Sequence, residues 1–296
     1  MFMGGGVSRK VLFEGCRTRD FFTKIRNTFL RKMLYASSAK HLLTRPQPVT
    51  FAFDYISNEI AIDGVYEIDD LDILFEWLAS MDSTIFTDEC IDVGANIGNH
   101  SLYFSQYFSH VFSFEPNPRT FKVLSLNAEL VSNIDCFDFG LSSSTGEAVL
   151  SCTNSNIGGS RVVEFESAST VPIKITTLDS FFNLFKNIRL IKYDVEGLEY
   201  EAILGSKKII EATNPIVLFE QHKEDFVNGE SKVISLLRSL GYTRFATIKK
   251  KSALYRVHFM GVILRAINGN SRAIVLENEF KPDFYPFIIA IPNWVK

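Results

Sequence analysis

Three observations predict an α/β fold built on a parallel sheet. Short apolar runs alternate with amphipathic stretches from Ile91 to Leu240. A glycine-containing turn joins the first of these runs to the stretch that follows it. Several of the runs end in an acid, at the edge where open α/β sheets bind ligands. Regular strand–helix alternation implies a parallel sheet with right-handed crossovers. The 296 residues are 46% hydrophobic and 22% charged, enough apolar material to bury a core without a disulfide or metal staple. The 27 Phe predict that this core is rich in aromatic rings.

Residues 1–50 read as a basic, helical leader punctuated at its end by Pro46 and Pro48, and residues 51–296 as one α/β domain. Residues 51–63 alternate apolar and polar positions and read as a strand or hairpin closed by Asp63 and Gly64. Leu71, Leu74, Phe75 and Leu78 fall on one helical face. A strand over Cys90–Val93 leads through the turn Gly94–Gly98 to a helix over Ser101–Phe108. A second strand, Val111–Phe114, ends in Glu115 and is followed by a helix over Phe121–Leu130. A third strand covers Ile134–Phe139. The polar stretch Ser142–Thr170 predicts a small antiparallel excursion and a loop around Asn154–Ser160, read either as a plain connection or as a lid in which Asn156 or Arg161 touches substrate. Helices follow over Leu178–Phe185, Leu198–Ile210 and Lys232–Leu240, with strands over Leu190–Tyr193 and Pro215–Phe219 between them. Tyr242–Ile248 and Phe287–Ile291 form a final hairpin-like pair, and the segment around Val262–Ile267 has no assignment.

The net charge of −3 argues against a protein that coats nucleic acid. That charge is unevenly spread: residues 1–45 carry ten Lys and Arg against Glu14 and Asp20. Such a run is either a solvated basic arm or a weak contact for an anionic surface, a membrane or a phosphorylated acceptor. Cys16, Cys90, Cys136 and Cys152 form no paired motif and have no clustered His, so they read as reduced thiols in a cytoplasmic protein rather than zinc ligands. No apolar run reaches the length that spans a bilayer, and no signal peptide is evident. Oligomeric state is not legible.

The turn Asp92–Gly98 (DVGANIG) lets a ligand approach the backbone and leaves helix N-terminal amides free for a polar group. Glu115, at the end of the next strand, is placed to accept hydrogen bonds from ribose hydroxyls. Strand, glycine loop, helix, strand and acid together point to a nucleoside. The three-glycine pattern of dinucleotide sites is incomplete, and Asp92 would repel a pyrophosphate. The same acid suits, directly or through water, the cationic amino group of a methionine moiety, so electrostatics favour S-adenosylmethionine over NAD.

Residues 91–98 (IDVGANIG), 114–117 (FEPN) and 191–199 (IKYDVEGLE) resemble the motifs of FkbM-type methyltransferases. Residues 63–67 (DGVYE), Leu204–Gly205, Leu218–Glu220 and Leu240–Tyr242 also fit, so the resemblance runs over residues 54–248. It implies a Rossmann-like class I methyltransferase fold: a mostly parallel seven-stranded sheet with an antiparallel final strand and helices on both faces. It implies S-adenosylmethionine as methyl donor and a hydroxyl on a sugar, glycolipid or secondary metabolite as acceptor. By position, Gly94, Asn96 and Gly98 would line the methionine side, Glu115 would hold the ribose, and Asn117 with Asp138 or the Gly140 backbone would lie beside the adenine.

Asp194, Glu196, Glu220 and His222 bring acids and a histidine to the ends of two neighbouring strands. Glu196 is either a helix cap or a functional group. For methyl transfer, Asp194, Glu196 or His222 would take the acceptor proton. A divalent metal that acidifies the hydroxyl is the less favoured alternative, because the spacing is not a metal signature. A nicotinamide-dependent oxidoreductase and a nucleoside-binding module without catalysis are the competing readings.

Overall fold

A computed structural model of the chain describes residues 21–39, 41–52, 54–151, 161–163, 170–227, 229–250 and 272–295. The predicted loop over 154–160, the Arg161 side chain, residues 1–20 and the segment around Val262–Ile267 lie outside that description.

Helix α1 spans Phe21–Ser38 and α2 spans Tyr55–Asp63. The second corrects the strand or hairpin expected over residues 51–63. Local capping overrides the apolar–polar alternation there. Asp54 accepts from the Ser57 amide (3.1 Å) and hydroxyl (3.0 Å), which fixes the first turn. Gly64, at φ 85°, closes the last turn in the left-handed region and donates to the Ile60 carbonyl. Helix α3 (Ile68–Met81) buries Leu71, Leu74, Phe75 and Leu78, the face that the periodicity predicts.

The Rossmann-like alternation begins with β1 (Glu89–Val93), α4 (Asn99–Phe104), β2 (His110–Phe114), α5 (Pro118–Ala128) and β3 (Ile134–Phe137). Asn117 caps α5 through its side chain, and Pro118 supplies the preset φ of a first helical residue. The excursion contains β4 (Gly140–Leu141), β5 (Gly146–Ser151), β6 (Arg161–Val163) and β7 (Thr170–Thr176), a four-stranded sheet in the order β4-β7-β5-β6. The helix predicted over Leu178–Phe185 is only a 3-10 turn, Leu178–Phe181. The chain continues through β8 (Ile188–Tyr193), α6 (Glu199–Leu204), α7 (Lys207–Thr213), β9 (Ile216–Gln221), the short pair β10 (Phe226–Val227) and β11 (Glu230–Ser231), and α8 (Lys232–Ser239). A break at Gly205 and Ser206 splits the single helix predicted over Leu198–Ile210 into α6 and α7. Three strands follow: β12 (Arg244–Lys250), β13 (Arg272–Glu277) and β14 (Tyr285–Ile291).

The main sheet runs β13-β12-β14-β9-β8-β1-β2-β3. The β9–β8, β8–β1, β1–β2 and β2–β3 pairs are parallel, and the last strand, β14, lies antiparallel to both β9 and β12. Eight strands stand where seven were expected. The extra one, β13, pairs antiparallel on the β12 edge, and Arg272 ties it to α3 through Asp70 at 3.1 Å and Asp69 at 3.3 Å. Alternate residues of the central strands feed two cores. Ile91, Ile191, Val217 and Ile288 meet α6, α7 and α8, whereas Cys90, Leu190, Leu218 and Ile289 meet α3 and α4. The second core is aromatic, as the Phe content predicts: the Phe75 ring lies within 6.0 Å, centroid to centroid, of Phe86, Tyr103, Phe104, Tyr107 and Phe108.

Candidate active site

The carboxyl ends of β1, β2, β8 and β9 open into one cavity of about 280 Å³. Its floor is the junction of two loops. Gly94, at φ 78°, sits so close to the loop after β8 that a Cβ there would lie 1.8 Å from the Asp194 carbonyl oxygen. Only glycine satisfies both the backbone angle and the contact.

On the β1–β2 side, Glu115 is 8% exposed and accepts three hydrogen bonds. Oε2 takes the Asn96 amide at 2.9 Å; Oε1 takes the Asn117 amide and the Thr120 hydroxyl, both at 2.8 Å. Burial raises the Glu115 pKa, and these three donors oppose the shift. A carboxylate offers about four acceptor sites, so the free capacity here lies on Oε2. Gly94, Asn96, Glu115 and Asn117 all line the cavity. Asn96 takes a left-handed φ of 52° that turns its amide to Glu115. Gly98 stands behind the loop as the N-cap of α4, at φ 89°.

Two expected residues are placed elsewhere. Asp92 is fully buried beneath the loop rather than on the cavity wall; it accepts from Ser101 Oγ at 2.6 Å and pairs with Lys192 Nζ at 3.4 Å. Its charge is met inside the protein, so direct contact with a methionine amino group does not fit this geometry. Asp138 is exposed beyond the end of β3, and Phe139 and the Gly140 backbone line the wall in its place.

On the β8–β9 side, Asp194, Glu196 and Glu220 line the cavity. Asp194 Oδ2 pairs with Lys192 Nζ at 3.0 Å. Burial pushes the Asp194 carboxyl up, but the Lys192 ammonium, its hydrogen bond, and His100 and His222 hold it below the usual carboxylate range. Burial likewise pushes the Lys192 ammonium down, and Asp194 and Asp92 outweigh it, so that lysine stays charged. Glu220 Oε2 lies 2.9 Å from His222 Nε2. Burial first, then Asp194, Glu196 and Glu199, push Glu220 up to about 9. His222 is not on the cavity wall; it stands behind Glu220 with its ring against Phe284. Glu196 holds a left-handed φ of 56°, and the start of α6 has no side-chain cap. Glu199 steadies the turn before α6, accepting from the Val195 amide at 2.9 Å and the Gly197 amide at 3.1 Å. Burial, opposed by those amides, raises Glu199 to about 7. Ligand atoms of Glu196, Glu220 and His222 all lie within 4.8 Å of one another, a set able to hold a metal ion.

Sequence reasoning missed Lys192, Tyr66, Glu67 and His100 as parts of the site. Tyr66 and Glu67 line the cavity, and His100 Nε2 pairs with Glu67 at 3.3 Å. Asn99 pins this stretch by accepting from the Tyr66 amide at 2.9 Å. Lys192 and Glu67 both lay within the matched motifs, but the pairing that gives each its role joins residues distant in sequence.

An open α/β sheet with β14 inserted antiparallel between β9 and β12, and the glycine loop and Glu115 at its carboxyl edge, is the fold of the Rossmann-like class I methyltransferases. The chain belongs to the FkbM methyltransferase domain family, whose model matches residues 92–244. It is 32% identical over 130 residues to the hexuronic acid methyltransferase AglP of Haloferax volcanii, covering 43% of this chain and 53% of that one. It is 28% identical over 170 residues to methyltransferase sdnD of Sordaria araneosa, covering 41% and 66%. The chain thus spans between half and two thirds of the length of these relatives. Among solved structures, magnesium protoporphyrin IX methyltransferase from Synechocystis PCC 6803, with bound SAM, overlaps 88% of this chain and 98% of that one at 12% identity and a TM-score of 0.41.

Proposed function

We propose that this chain is an S-adenosylmethionine-dependent methyltransferase acting on a hydroxyl oxygen of a sugar, a glycolipid or a secondary metabolite. One observation carries the choice of donor. Glu67, Glu115, Asp194, Glu196 and Glu220 line the cavity, and among the described residues no Lys or Arg does. A cationic sulfonium is favoured in that field, whereas the pyrophosphate of NAD is repelled. Glu115 Oε2 accepts a ribose hydroxyl, and Phe139 and the Gly140 backbone flank the adenine. The methyl carbon passes from sulfur to the acceptor oxygen in line, with the C–S bond breaking as the O–C bond forms. S-adenosylhomocysteine leaves, and the hydroxyl proton passes to the Glu220–His222 pair. Donor binding brings positive charge beside Glu220 and favours its ionised form, so the base is created by the donor it serves. Much of the rate comes from holding acceptor and methyl in line. The sugar-directed activity named for AglP supports a carbohydrate acceptor. The unpaired thiols Cys90 and Cys136 fit a reducing, cytoplasmic setting.

A second reading has a specific observation behind it: the convergence of Glu196, Glu220 and His222 suits a divalent cation that would acidify the hydroxyl and neutralise the rim. An acceptor carrying its own carboxylate would need such a cation here. Calorimetric titration with S-adenosylhomocysteine, with NAD as control, tests the donor. Micromolar binding of the first and none of the second is expected, and the reverse would sink the proposal. Activity abolished by a chelator and restored by magnesium would replace the base with the metal.

A further inference from the structure

We infer that α1 docks the protein on an anionic membrane surface. The helix carries Lys24, Arg26, Arg31 and Lys32 and no acid, in a chain whose net charge is −3. Its large apolar side chains are exposed, Phe22 by 79%, Tyr35 70%, Phe29 60%, Met33 57%, Leu30 56%, Ile25 51% and Leu34 48%. At about 100° per residue, Phe22, Ile25, Phe29 and Met33 fall within roughly 80° of the helix circumference, and Leu30, Leu34 and Tyr35 lie outside that arc. Arg26 and Lys32 border that stripe on its two sides. The opposite face is the one already used: Ser38 is buried and donates to the Ala61 carbonyl of α2 at 2.6 Å. The stripe therefore points away from the domain. Leu43, 91% exposed just past the end of the helix, adds to the uncovered apolar surface.

An apolar stripe bordered by cations is the pattern of a helix lying in the headgroup boundary, rings and methyls among acyl chains and charges on lipid phosphates. Among the described residues no helix is long and apolar enough to cross a membrane, so the contact is with a surface. Charge decides between this occupant and a second copy. Two α1 stripes packed together would set Arg26 and Lys32 against their own kind, whereas a phosphate-bearing surface neutralises them. The partner helix α2 places Ile56 in the cavity wall. A docked α1 would thus hold the cavity near the surface, within reach of an acceptor carried on a lipid.

The test is co-sedimentation of the full chain with extruded vesicles of phosphatidylcholine alone or with 30 mol% phosphatidylglycerol, a composition chosen at roughly the anionic content that attracts basic segments. Binding is expected to be at least about tenfold stronger on the anionic vesicles and to weaken as salt is raised. F29S/M33S should lose about tenfold, and R26Q/K32Q roughly fivefold per charge removed. Both variants should keep the wild-type circular dichroism and S-adenosylhomocysteine affinity, which read the fold and the cavity rather than the helix. Equal binding to both vesicle types, binding to neither, or binding unchanged in both variants overturns the inference. So does self-association at micromolar concentration that F29S/M33S abolishes, which would assign the stripe to a second copy.

Discussion

The two walls of the cavity treat a carboxylate in opposite ways. Glu115, on the β1–β2 wall, is met by two backbone amides and a hydroxyl. Across the cavity, Asp194 pairs with the Lys192 ammonium, and Glu220, crowded by Asp194, Glu196 and Glu199, holds its proton to about 9. Amides fixed by a turn are permanent partners, and they make the first wall a frame. Neighbouring acids that raise one another's pKa make the second wall a field that favours a cationic ligand. In the proposed reading, the first wall binds with partners already in place, and the second is tuned by the donor.

If that contrast holds, Lys192→Met should cause the largest loss. It strands Asp92 and Asp194 together, at a cost of about 4 kcal/mol of unfolding free energy in urea titration. Adding Asp194→Asn should recover part of it, and failure to recover any would show that the lysine matters by packing alone. Gly94→Ala comes next. Its methyl would collide with the Asp194 carbonyl at 1.8 Å in a backbone conformation that disfavours a side chain, and about 3 kcal/mol should be lost along with S-adenosylhomocysteine binding. A mild phenotype would mean the two loops separate easily. Glu115→Ala should weaken S-adenosylhomocysteine by about 2 kcal/mol, near thirtyfold by calorimetry. Unchanged affinity would contradict the ribose assignment.

The smallest effect is a pH slope. Glu220 favours the folded state when protonated, so its contribution is complete below its ordinary 4.5 and is lost as pH rises through about 9. Melting temperature should fall between pH 6 and 9 more steeply in the wild type than in Glu220→Gln. Parallel curves would show that Glu220 is already ionised at neutrality.

Much of this was legible in the sequence because it is local. Strand, turn and acid occupy neighbouring residues, and the order of elements from Ile91 to Leu240 followed from periodicity. The failures also have local causes. Over residues 51–63 the alternation suggested a strand, while Asp54 and Gly64 already carried the signature of a capped helix. Asp92 was assigned to the ligand by its charge and Asp138 by position, but the charge of Asp92 is met by Lys192 inside the protein and Asp138 is exposed beyond the end of β3. The pairing of Lys192 with Asp92 spans 100 residues, and no pattern within one motif reveals it. Strand β13 arises from an apolar stretch whose strand partner among the described residues, β12, lies across a long connection.

The contact between Gly94 and the Asp194 carbonyl has a consequence for how such a protein is diversified. The two loops leave neighbouring strands and touch through main chain, so the spacing between the Glu115 wall and the Asp194 wall is inherited from the sheet and not from any side chain. Elements that border the cavity from outside this junction, such as α2 and strands β5 and β7, are expected to tolerate reshaping with the junction itself unchanged. A library that varies Ile56, Ala148, Leu150 and Ile173 would explore new acceptors on a transfer geometry that stays fixed.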